Sequence, residues 1–182
     1  YSLLTTQYSI LNTQFSILTT QYSLLPMAED LIIASGSKAE QYILLTKQIA
    51  ALLQGESDEI ANMANIAAAL KEQFNFLWVG FYIVKDDQLV LGPFQGPVAC
   101  TRIAYDKGVC GKAWASNSTL IVPDVDKFPG HIACSSLSKS EIVVPVQQEG
   151  RCIAILDVDS IELAHFDEID ATYLQEICAL LN

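Results

Sequence analysis

Three cysteines, Cys100, Cys110 and Cys134, fall in the half of the chain that also carries Trp78, Tyr82, Glu141, Asp157 and Asp159. A thiolate is both a nucleophile and an electron source, and two neighbouring thiols can cycle through a disulfide. Carboxyl groups beside such thiols can donate protons or hold a cationic group of a substrate. These residue types together point to redox chemistry on a small molecule, on condition that the fold gathers them.

The five cysteines are not equivalent. Cys152 alternates into the apolar run of a strand and Cys178 sits beside Leu174 and Ile177 on the last helix, so both read as inert core thiols. Cys134 lies in HIACSSLSKSE, among hydroxyl residues and close to His131 and Lys139, where a thiolate forms more readily. Cys100 follows a Gly-Pro turn, and Cys110 stands between Gly108 and Gly111 at a helix start. An unreactive loop thiol is the plain alternative for each, and three at loop and strand edges weaken it.

Strand alternation puts Trp78, Gly80 and Tyr82 on one face, with the glycine leaving space between two rings. The plain alternative is two rings packed under a helix. Asp157 and Asp159 share a face that continues from Ile153 and Ile155, and Glu141 opens the neighbouring strand. Two desolvated carboxylates there would repel unless a bound ammonium group or a shared proton relieved them. The plain alternative is a strand end in solvent.

The elements that must position these groups follow from periodicity. Tyr42, Leu45, Ile49, Leu52 and Leu53 predict a helix over Lys38 to Gln54 with Gly55 as C-cap. Ser57, ahead of Asp58 and Glu59, predicts the next N-cap, and Ile60, Met63, Ala67, Leu70 and Phe74 the stripe of a second helix. LWVGFYIV at 77–84, the turn 85–87 and Leu89 to Leu91 predict a hairpin, with further strands at 99–104, 119–122, 141–146 and 151–159. Gln148-Glu149-Gly150 joins the last two strands. A short helix at 111–116, a long loop from Pro123 to Lys139 and a closing helix over 167–181, bearing Ile169, Leu174, Ile177 and Leu181, complete the reading. Hairpins outnumber crossovers, so the fold class is α+β with a mainly antiparallel sheet.

The chain has 182 residues, 51% of them hydrophobic and 17% charged, ample for one buried core. A formal net charge of −11 leaves no basic stripe for a nucleic-acid backbone. No apolar run approaches the ~20 residues that span a bilayer, and no signal-peptide pattern stands out. An odd cysteine count, without a CxxC pair or zinc-type histidine spacing, points to reduced thiols in the cytoplasm and to no metal site.

Residues 1–26 are a seven-residue repeat (YSLLTTQ, YSILNTQ, FSILTTQ, YSLLP) with no charged side chain and no e/g charges for a coiled coil. The first methionine is Met27, directly after Pro26. The expectation is that 1–26 translates a tandem DNA repeat upstream of the native start and that 27–182 is the single functional domain. N-terminal mass analysis of the native protein tests it; a mature chain beginning at or before Tyr1 would sink it.

Taken in order, LWVGFY at 77–82, LGPFQGPVAC at 91–100, GVCGKAW at 108–114, VPDV at 122–125, HIACSS at 131–136, SEIVVP at 140–145 and LDVDS at 156–160 closely resemble the free methionine-(R)-sulfoxide reductases, which are stand-alone GAF domains. The resemblance covers essentially all of 27–182. It implies a GAF-like central antiparallel sheet of five to six strands flanked by helices. It also implies reduction of free L-methionine-(R)-sulfoxide, through a sulfenic acid and an intramolecular disulfide reduced by thioredoxin, in repair of oxidised methionine and oxidative-stress defence.

By the same resemblance Cys134 is the catalytic cysteine, Cys100 the main resolving cysteine and Cys110 a third thiol able to join the exchange. Trp78 and Tyr82 match the pocket aromatics, and Glu141, Asp157 and Asp159 the carboxylates that bind and protonate the substrate. No bound cofactor or metal is implied, and the resemblance leans toward a homodimer. The competing readings are a sensory GAF domain that binds a small ligand without turnover and a thiol redox sensor that changes shape on oxidation.

Overall fold

The computed structural model describes residues 30–132 and 135–182. The repeat at 1–26, with the boundary expected at Met27, and the expected nucleophile Cys134 lie outside the described residues.

Helix α1 (Lys38–Leu52) starts where Ser37 accepts from the Glu40 amide while Glu40 reaches back to the Ser37 amide, a capping box. It buries Tyr42, Leu45 and Ile49. Helix α2 (Glu59–Phe74) is capped by Asp58, whose side chain accepts from the Ala61 amide, so the cap falls one residue after the expected Ser57. Its buried stripe is Met63, Ile66, Ala67 and Leu70, and Ile60, expected inside, is 48% exposed. The helix ends on Asn75 in the left-handed region (φ 52°), where a short polar side chain is tolerated.

Six strands follow: β1 (Trp78–Lys85), β2 (Gln88–Gln95), β3 (Arg102–Ala104), β4 (Leu120–Val122), β5 (Ser140–Gln148) and β6 (Arg151–Ser160). They form one sheet in the order β3-β2-β1-β6-β5-β4, every neighbouring pair antiparallel. The turns after β1 and β5 hold positive φ at both central residues, Asp86 and Asp87 (49° and 58°), then Glu149 and Gly150 (50° and 77°). That is the type I′ pattern, whose twist matches the flanking strands.

Two strand limits differ from expectation. β2 runs on past Leu91, through Gly92 and Pro93 to Gln95, because a bulge absorbs them: Tyr82 pairs with Leu91 but Gly80 with Phe94. The strand expected from Ala99 shrinks to Arg102–Ala104.

Helix α3 (Gly108–Ser116) lies on one face of the sheet, against β5 and β6. On the remaining helical layer, α2 packs on β1 and β2, α4 (Glu168–Ala179) packs on β5, and α1 contacts both helices. Asp170 of α4 is buried and receives Lys38 Nζ at 2.5 Å and Tyr42 Oη at 2.9 Å, which ties α1 to α4. Ile169, expected in the α4 stripe, is 40% exposed. A single turn of 3₁₀ helix (Val125–Lys127) interrupts the long loop after β4. No helix among the described residues is long and apolar enough to cross a membrane.

Candidate active site

Register decides which side chains meet under α3. β6 pairs with β1 and β5 so that Trp78, Asp159 and Glu141 form one row, and Gly80, Asp157 and Val143 the next. Residues directly opposite in a sheet project to the same face. The two rows therefore set three carboxyl groups side by side, with Tyr82 and Ile155 in the row beyond. Asp157 and Glu141 are buried and Asp159 is partly buried, so the solvated strand end is not what the chain builds.

Helix α3 closes this face with Cys110. Its Sγ lies 3.4 Å from Asp157 Oδ2 and 3.6 Å from Glu141 Oε1, within the range of weak sulfur hydrogen bonds. Gly111 lets the helix come down: a Cβ there would sit 2.6 Å from the Ala104 carbonyl oxygen. Ser138 donates a hydrogen bond to Asp159 Oδ1. His131 Nε2 stands 3.8 Å from Glu141 Oε2. Asp157 Oδ1 is buried and has no hydrogen-bond partner.

Together these groups line a cavity of about 30 Å³ whose polar walls include Cys110, His131, Ser138, Glu141, Asp157 and Asp159, with Lys107 and Ser135 beside them. Burial is the main force on their protons. It pushes Glu141 and Asp157 well above the ordinary carboxylate range, and the neighbouring aspartates add repulsion to both. Burial raises Asp159 to about 6, against a hydrogen bond from Ser138 that favours the carboxylate. Cys110 is pushed up by burial and then by Asp157 and Glu141, so it is held as a thiol. His131 is pushed down by burial and stays a neutral imidazole. The result is a proton-rich pocket poised to give up hydrogen or to welcome a cation.

The aromatic members stand beside this cavity and do not line it. Trp78 and Tyr82 stack across Gly80 with centroids 5.9 Å apart, and Phe94 also stacks on Trp78 at 5.4 Å. Trp78 Nε1 donates to the Pro97 carbonyl and Tyr82 Oη to the Cys100 carbonyl, each at about 3 Å, so both rings are pinned. Cys100 lies outside the cavity wall and is disulfide-bonded, whereas Cys110, Cys152 and Cys178 are free. Cys178 is buried, as expected of a core thiol; Cys152 is partly exposed, its thiol pushed up by burial to about 11.

Sequence reasoning placed His131 beside Cys134 but not against Glu141, and it missed Ser138 and Phe94 as neighbours of the site. His131 and Ser138 sit in an aperiodic loop with no face to read. Phe94 reaches Trp78 only because the β2 bulge shifts its register. No residue pattern signalled that shift beyond Gly92-Pro93 itself.

Comparison with known proteins agrees with the architecture. Residues 58–182 match the GAF domain family. GAF domain-containing protein A of Dictyostelium discoideum is 64% identical over 157 residues, covering 86% of this chain and 99% of that protein. The free methionine-R-sulfoxide reductase of Escherichia coli is 43% identical over 80% of this chain and 89% of its own. The crystal structure of the free methionine-R-sulfoxide reductase of Neisseria meningitidis, solved with its substrate, superposes with a TM-score of 0.82 at 54% identity, covering 84% of this chain and 93% of that one. The chain belongs to the GAF domain family and, within it, to the free methionine-(R)-sulfoxide reductases.

Proposed function

We propose that this protein reduces free L-methionine-(R)-sulfoxide to methionine with a cysteine nucleophile. The observation that supports this most is the buried Glu141, Asp157 and Asp159 cluster, in which burial pushes Glu141 and Asp157 well above the ordinary carboxylate range and raises Asp159 to about 6. A sulfoxide needs protons delivered to its oxygen as the S–O bond breaks, and a free amino acid brings an ammonium group for a carboxylate to hold. One cluster can serve both needs. The unpartnered Asp157 Oδ1 is the natural acceptor for that ammonium.

In the proposed cycle the Cys134 thiolate attacks the sulfoxide sulfur while Glu141 or Asp159 protonates the oxygen. The S–O bond and the new S–S bond then break as the hydroxyl passes to the Cys134 sulfur, which releases methionine and leaves Cys134 as a sulfenic acid. The Cys100 thiol then attacks the sulfenic sulfur and expels water, forming a Cys100–Cys134 disulfide. Thioredoxin supplies two electrons and two protons to return both thiols. Cys110, held as a thiol by burial and then by its acidic neighbours, is slow to compete and enters the exchange second.

Trp78 would face the methyl end of the substrate from its row beside Asp159. No metal or nucleotide is called for. A cytoplasmic setting supplies the reductant, and a homodimer and a role in oxidative-stress defence complete the proposal.

The test is a coupled assay: reduced protein, thioredoxin, thioredoxin reductase and NADPH should consume NADPH with the free R epimer and hardly at all with the S epimer. Cys134→Ser should abolish turnover, and full activity in that variant refutes the nucleophile. Cys100→Ser should turn over with dithiothreitol but not with thioredoxin.

A further inference from the structure

The reductase cycle leaves one feature of the pocket unused, the geometry of its sulfur and oxygen atoms. Cys110 Sγ, Glu141 and Asp157 each present one donor atom, all within 4.8 Å of one another and all buried. In a tetrahedral zinc site, bonds of about 2.3 Å to sulfur and 2.0–2.2 Å to oxygen put the two ligand atoms about 3.5–3.7 Å apart. The distances here are 3.6 Å from Cys110 Sγ to Glu141 Oε1 and 3.4 Å to Asp157 Oδ2. A second observation concerns the same carboxyl group: its other oxygen, Asp157 Oδ1, is buried without a hydrogen-bond partner in a residue only 7% exposed. A buried acceptor in that state lacks a donor or a cation. His131 stands on the same cavity wall, with Nε2 3.8 Å from Glu141 Oε2, but outside this three-atom group, so water is left as the fourth ligand.

We propose that Cys110, Glu141 and Asp157 of the reduced protein bind a thiophilic divalent cation of the zinc class, and that this is an inhibitory site. A thiolate with two carboxylates suits zinc better than a hard cation, which prefers oxygen alone. The cation would neutralise the acids that the reductase reading assigns to the substrate, so metal and substrate exclude one another. Its ligands share no residue with the Cys100–Cys134 pair, so occupancy does not need those thiols.

Cobalt(II) is the probe, because tetrahedral Co2+ with a thiolate gives intense visible bands and a sulfur-to-cobalt charge-transfer band. The host is the full chain carrying Cys100→Ser and Cys134→Ser, reduced and free of oxygen. One equivalent of Co2+ should produce both signals, and Zn2+ should bleach them. Adding Cys110→Ser should remove the charge-transfer band, and Glu141→Gln should weaken binding at least tenfold. Cys152→Ser, which alters a thiol outside the pocket, should change nothing. A charge-transfer band of full size in the Cys110→Ser variant overturns the site, as does a weak octahedral spectrum in the host. Glu141→Gln keeps the test sharp if Cys110→Ser folds poorly. Excess free methionine should bleach the bands. If the bands survive methionine, the metal site stands and the substrate assignment fails.

Discussion

The protons of the acid cluster carry an energetic signature that Asp159→Asn should expose. An aspartate in an unfolded chain titrates near 3.9, whereas in the fold Asp159 is raised to about 6 by burial. Folding must therefore take up a proton at this residue between about pH 4 and pH 6. With the folded value raised, stability linked to the proton is fully present below pH 4 and is lost as pH climbs to 6. Two pH units at about 1.4 kcal/mol each give a loss of about 3 kcal/mol. This is an upper figure, because Asp159 keeps part of its surface in water.

Asparagine has the same shape, needs no proton and still accepts from Ser138. Removing the Asp159 charge also relieves Glu141 and Asp157, which changes stability in the same direction. His131 titrates in a neighbouring window with the opposite sign, since burial lowers it and favours folding as pH rises. It is common to both chains and cancels in their difference. Urea unfolding of wild type and Asp159→Asn at half-unit steps from pH 4 to 8 should show the variant gaining about 3 kcal/mol by pH 6–7. That gain corresponds to about 6–12 °C in Tm for a domain of this size. A gap between the two proteins that stays constant with pH, or that closes as pH rises, refutes the argument that the fold stores a proton at Asp159.

Three further outcomes follow from named contacts. Glu141→Gln keeps the hydrogen bonds but not the proton, so kcat should fall by about 10²–10⁴. The wild-type rate should decline as pH rises through the raised Glu141 range, and pH-rate profiles should show that limb missing in the variant. Gly80→Ala would place a Cβ 2.3 Å from Phe94 Cβ and 2.7 Å from the Trp78 ring. Overpacking of that kind costs about 1–3 kcal/mol by urea unfolding and should raise KM by tilting Trp78. Tyr42→Phe removes the donor to buried Asp170 Oδ1, far from the pocket, and should cost about 1–3 kcal/mol in the same unfolding assay while leaving kcat and KM unchanged.

Much of the sheet face was readable because strand alternation is rigid arithmetic. Trp78, Gly80 and Tyr82, and then Asp157 and Asp159, needed only a period of two, and Glu141 only the hairpin at 148–150. Helix detail was less readable. Ser57 and Asp58 are both good caps one position apart, and propensity alone does not choose between them. Ile60 and Ile66 both fit an amphipathic pattern, but which stretch of the helix meets the sheet depends on packing that no local window contains. The same limit hid the closing of the pocket. That α3 brings Cys110 to 3.4 Å from Asp157 is a contact across 47 residues. It rests on Gly111 letting the helix approach the Ala104 carbonyl.

The character of that closed pocket separates the enzyme reading from a sensory one. A GAF domain that senses a nucleotide must welcome phosphate, which requires backbone amides or cationic side chains aimed at the ligand. Here the cavity presents three acids and a thiol, and its one imidazole is kept neutral by burial. Loss of a proton from any of these acids leaves a negative charge, so an anionic ligand meets repulsion and a cationic or proton-accepting one meets attraction. Lys107, also on the cavity wall, is a single cation against that set. A zwitterionic amino acid whose ammonium end enters first and whose sulfoxide oxygen then accepts a proton satisfies the cluster at both ends. A phosphate ligand satisfies it at neither.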